Sequence, residues 1–126
     1  MNIGNWFLRL GVLFGIAGIL LGNVMGATGQ FEMRPVHAHL NLLGWVAMTL
    51  FGLFYRAVPA AMAGKLAKAH FWIFVPAHVV QMIALTLFLR GATAAGPVLG
   101  LSSALVGVAF LCFAVLVWQH TGRDAA

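Results

Sequence analysis

Charge is what this sequence has least of. Charged residues make up 7% of the 126-residue chain, and two of them, Glu32 and Asp124, are acidic. A soluble domain needs a polar skin, and so few charges cannot cover one. One carboxylate lies between apolar runs and the other in the C-terminal tail, so catalysis by paired carboxylates is excluded. The lone cysteine, Cys112, cannot form an intramolecular disulfide and reads as a small packing residue in the last apolar run. No phosphate-cradling glycine loop, nucleophile elbow or internal repeat is present. The net charge of +5 comes from basic residues scattered at the ends of apolar runs. Without a cluster or stripe they imply no nucleic-acid partner.

Apolar residues are what the chain has in excess. They make up 63% of it, and the mean hydropathy is +1.01. A membrane crossing takes about 20 apolar residues, so the length allows about four. The runs fall roughly at Asn5–Thr28, Val36–Pro59, Ala69–Leu89 and Gly96–Gln119, a single domain over residues 1–126. They are continuous rather than alternating, which predicts helices and excludes a β-barrel. Pro35 and Pro97 sit where a helix can begin without losing a hydrogen bond. The expected fold class is an all-α membrane protein of four transmembrane helices. Short connections predict an antiparallel up-down bundle or arc, with lipid as the main partner. The first run, from Ile3 to Ala27, is too long for the core of a signal peptide and is expected to be retained.

Orientation follows from lysine and arginine. The face with both termini holds Arg9, Arg56, Lys65, Lys68 and Arg123, and the opposite face holds Arg34 and Arg90. This bias predicts cytoplasmic termini in a bacterial-type inner membrane. Trp6, Trp72 and Trp118 fall near the terminal face, as interfacial anchors do. Gly11, Gly15, Gly18, Gly22 and Gly26 form a small-residue stripe on the first run, fitted to close packing within or between protomers.

Polar groups inside a span are costly and mark function. They are His37, His39, Asn41, His78, Gln81 and Asn23. His70 and His120 read as interfacial residues at the terminal face. His37 and His39 stand about 200° apart on a helix, so they point to nearly opposite sides and need separate partners. By helix rise His78 should lie about 12 Å in depth from His39, outside its coordination shell, and it is expected to hydrogen-bond across helices, for example to Thr49, as a neutral imidazole. Asn41 and Gln81 are expected to bridge helices.

The segment from His37 to Trp45 has the form H-x-H-x-x-x-L-G-W, and Gly52, Tyr55 and Pro59 follow it. It resembles the tenth helix of the large subunit of heme–copper oxidases, most closely the cbb3 type. The resemblance covers about a fifth of the chain. It implies that His37 and His39 ligate hemes on opposite sides of the helix. It also implies that this four-helix unit corresponds to one of three arcs in the twelve-helix subunit. The family's copper-binding histidine pair and proton-channel acids have no counterpart here, which argues against oxygen reduction, and no catalytic residue is assigned. The expected function is heme b binding for electron transfer or diatomic-gas interaction. The sites would lie at the interfaces of a C3 homotrimer, with His37 of one protomer facing His39 of the next. Arg34 and Arg90 would meet the heme propionates. The alternatives are copper or zinc held by His37 and His39, with His78 a candidate for a second site, and a cofactor-free assembly subunit.

Overall fold

The computed structural model describes residues 1–122; Arg123, counted above for orientation, lies outside the described residues. Four long helices account for nearly all of them. Helix α1 spans Ile3–Thr28, α2 Arg34–Ala57, α3 Lys65–Leu89 and α4 Gly96–Thr121. Local chemistry sets their ends. The Asn2 side chain accepts from the Asn5 N–H at 3.0 Å and caps α1. Gly29, at φ 67°, takes the left-handed turn that ends it, a conformation glycine adopts without a Cβ penalty. Pro35 and Pro97 sit in the first turns of α2 and α4, as expected.

Helix α3 begins a turn before its predicted start at Ala69. Hydropathy stops at Lys65 and Lys68, but lysine, leucine and alanine are all good helix formers, and Gly64 with extended backbone opens the helix before them.

Each of the four helices is long and apolar enough to cross a membrane. Leu13, Leu20, Leu101 and Leu111 are all more than half exposed, an arrangement suited to lipid rather than water. Trp6, Trp72 and Trp118 are exposed as well, as membrane-interface anchors should be. The chain is therefore described as a multi-pass membrane protein.

Two helix pairs build the bundle. Contacts between α1 and α2 run in reverse order along the chain. Gly4 meets Tyr55, Gly11 meets Met48 and Thr49, Gly15 meets Trp45, Gly18 meets Asn41, and Gly22 meets His37. The glycine stripe thus packs against α2 of its own chain, and Gly26 alone among its members has open space around it. The partner of α3 is α4, and Phe74 with Phe110 and Gln81 with Ser103 are among their contacts.

Aromatic rings lock the two pairs together. Phe7, Phe51, Phe74 and Tyr55 are fully buried, with edge-to-face rings at 5.3 Å between Phe7 and Phe51 and at 5.1 Å between Phe51 and Phe74. At the other end of the bundle a smaller cluster forms from Met25, Met33, Val36, Leu40 and Met82.

One departure from regular winding matters for the site. Residues Leu40–Ala47 of α2 are wound as a π-helix. An uninterrupted α-helix turns 100° per residue, which would rotate Trp45 by about 80° from His37. The wider π turn absorbs that rotation, so His37, Asn41 and Trp45 all face the α1 glycines.

Candidate functional site

His37 and His39 lie in the first turns of α2 and leave it on opposite flanks, as their spacing requires. The His37 ring rests on α1. Its Nδ1–H donates to the Gly18 carbonyl at 2.7 Å. A Cβ at Gly22 would sit 2.7 Å from His37 Cε1, so only glycine admits the ring there. The Asn41 amide nitrogen lies 3.2 Å from Nδ1 and 3.4 Å from Nε2. Near-equal distances place it against the ring rather than in line with one nitrogen. Asn41 also fills the space of the missing Gly18 Cβ, so it both bridges helices and supports His37.

The ring of His39 is held from its own helix. Its Nδ1–H donates to the Pro35 carbonyl at 2.6 Å. Both imidazoles therefore carry the proton on Nδ1 and have an unprotonated Nε2, with the Asn41 amide 3.4 Å from that of His37. Such a hydrogen bond to a backbone carbonyl is how proteins orient ligating histidines. His39 also borders an open cavity of about 270 Å³ with Ala38, Leu42 and Leu43. That is below the usual range of a ligand pocket, and all four lining residues come from one helix. One protomer thus offers a single wall of a site.

The remaining sequence candidates are placed elsewhere. Arg34 is exposed, with its Nε–H on the Phe31 carbonyl at 3.1 Å and its guanidinium 5.7 Å from the Phe31 ring. Arg90 is exposed at the C-terminal end of α3. Asn23 is exposed on α1.

His78 does not bond Thr49. Its Nδ1–H donates to Gln81 Oε1 at 3.1 Å, and Gln81 Nε2 in turn donates to Ser103 Oγ at 3.1 Å. A partner three residues along its own helix was closer than one across the bundle. Gln81 is a helix bridge, as expected. His78 Nε2 is buried without a partner and lies against Gly44, where a Cβ would come within 3.1 Å of it. Gly44 is five residues beyond His39, so the two histidines differ in depth by roughly 7 Å, not 12 Å. The early start of α3 accounts for the difference.

His70 is the residue most misjudged from sequence. It is not interfacial but fully buried, sharing a 2.8 Å hydrogen bond between Nδ1 and the Tyr55 hydroxyl. The rings of Phe7, Phe51 and Phe113 lie 4.5–5.3 Å from it. Its Nε2 also has no partner. His120 is half-buried and bonds the Leu116 carbonyl of its own helix.

Among the described residues no three of histidine, cysteine, aspartate and glutamate come together in a group able to hold a metal ion. Comparison of the chain with protein-family models, curated proteins and solved structures found no match.

Proposed function

We propose that this protein binds heme b in a membrane through His37 and His39. The observation that carries the reading is the matched state of the two rings. Each fixes its Nδ1–H on a backbone carbonyl, which leaves Nε2 unprotonated. The rings stand on opposite flanks of one helix, so a bis-histidine site draws one histidine from each of two chains. The single-walled cavity beside His39 fits such a shared site. A C3 homotrimer of antiparallel up-down bundles supplies three equivalent interfaces, since each α2 then has a neighbour on either side. Arg34 and Arg90 lie at the same end and would meet the propionates. The glycine cradle at Gly18 and Gly22 fits the residues to this role, because it admits the His37 imidazole and sets its tautomer. A bound heme supplies a one-electron couple or an iron centre for a diatomic gas. The protein's part is to orient the two ligands and keep the site apolar. The resemblance of the His37–Trp45 segment to the heme–copper oxidases adds weight to the reading.

The same nitrogens suit copper or zinc. With no group of three ligands in one chain, a metal ion too would need histidines from more than one protomer. The visible spectrum of detergent-purified protein decides between them. A reduced b-type spectrum is the expected result. Colourless protein with stoichiometric metal supports the metal reading, and colourless, metal-free protein supports an assembly subunit. Native mass spectrometry should give trimers, and a monomer that retains its cofactor overturns the shared site. The proposed orientation in a bacterial-type inner membrane, with both termini cytoplasmic, predicts that a periplasm-dependent reporter fused after Ala126 stays silent.

A further inference from the structure

At the end of the bundle far from His37 lies a cavity of about 350 Å³ bounded by Asn2, Asn5, Arg56, Pro59 and Met62. Its side chains are richer in donors than in acceptors. Arg56 Nη1 donates to Asn5 Oδ1 at 2.9 Å, which uses one lone pair of that oxygen. Asn2 Oδ1 accepts from the Asn5 N–H at 3.0 Å, which uses one lone pair of the other. The amide NH₂ groups of Asn2 and Asn5 and the remaining N–H groups of Arg56 are donors open to a ligand. The arginine is also held in place. Its Cγ packs within 3.4 Å of where a Gly4 Cβ would be, and its head is tied to α1 by Asn5. Glu32, the acidic residue among the described ones, lies between α1 and α2 at the opposite end. A preorganised fork of donors without a local carboxylate calls for an anion rich in acceptor oxygens.

Depth identifies its source. Trp6 lies one residue beyond Asn5 and is exposed, as are Trp72 and Trp118, and Arg9 lies over the Trp6 ring at 5.5 Å. Indoles at one end of a membrane bundle mark the headgroup layer. We propose that this cavity is a binding site for the phosphodiester of an anionic phospholipid, held by Arg56 with Asn2 and Asn5. The site is independent of any heme, because it lies at the other end of the bundle.

The test uses full-length protein in nanodiscs of mixed phosphatidylglycerol and phosphatidylcholine, with retained lipid counted by native mass spectrometry. Wild type should retain phosphatidylglycerol in preference to phosphatidylcholine. Arg56→Gln should lower that retention about five-fold, which is what ~1 kcal/mol for one basic residue at a membrane surface amounts to. Arg56→Lys keeps the charge but loses the fork, so it should fall between the two. Lys65→Gln, which removes a charge outside the cavity lining, should lower retention less than Arg56→Gln does. Helical circular dichroism checks that each variant is folded, and added phosphatidylglycerol should raise the unfolding temperature of wild type more than that of Arg56→Lys. Equal retention of both lipids overturns the proposal, as does unchanged retention in Arg56→Gln. Loss of the bound lipid on adding inorganic phosphate also overturns it, since the site would then prefer a free anion.

Discussion

His70 and His39 are both histidines of apolar helices, yet the two ends of the bundle treat them differently. Around His70, rings from the other three helices close in, and the imidazole has no exposed surface. Around His39, the neighbours are Ala38, Leu42 and Leu43 of its own helix, and one flank stays open. Both rings have Nδ1 committed. The packing decides whether the free Nε2 is enclosed in protein or able to meet a ligand. A buried imidazole is thus not by itself a site; an oriented one beside unfilled space is a candidate.

Removing the ligands should have the largest effect. His37→Ala and His39→Ala should each lose most of the bound cofactor, read from the visible spectrum. The two effects should be similar and non-additive, because each site needs both rings. Co-expressing the two variants should restore part of the cofactor through interfaces that pair an intact His37 with an intact His39. If both variants keep the cofactor, the histidines only start a helix.

Next comes the cradle. Gly18→Ala would place a Cβ 2.5 Å from Asn41 Oδ1, and Gly22→Ala would place one 2.7 Å from His37 Cε1. Overpacking of this kind costs about 1–3 kcal/mol, so both variants should unfold at lower temperature and bind less cofactor. Gly26→Ala meets nothing within 4 Å and should be neutral or slightly stabilising.

At the closed end the effect should be on stability alone. Tyr55→Phe and His70→Phe each leave a buried polar partner unsatisfied, at about 1–3 kcal/mol. The double variant removes both partners and should cost less than the two singles combined. A cofactor spectrum changed by Tyr55→Phe would tie the aromatic core to the site. The smallest effect on binding is expected for His78→Ala. It leaves Gln81 without one partner and should lower the unfolding temperature while leaving the spectrum intact.

Not every detail of the site was legible along the chain. The divergence of His37 and His39 was, because two residues of any α-helix span about 200°. The π turn at Leu40–Ala47 was not, since hydropathy carries no record of which carbonyl each N–H selects. The glycine stripe announced close packing but not its partner, which turned out to be α2 of the same chain. His70 was misplaced because Lys65 and Lys68 look like the end of a membrane run, although they are helical and the helix buries its next turn.

Four long helices in a membrane and the divergence of the histidine pair follow from the residues alone. These depend on local quantities, apolar run length and residues per turn, that need no partner. The sequence also excludes acid-pair chemistry, because the carboxylates are too few. Which imidazole lies in the glycine cradle, which borders open space and which is sealed among phenyl rings is settled by the packing of the helices. Those outcomes depend on the side chains that neighbouring helices bring to the same depth, and helix register is fixed by packing rather than by spacing along the chain.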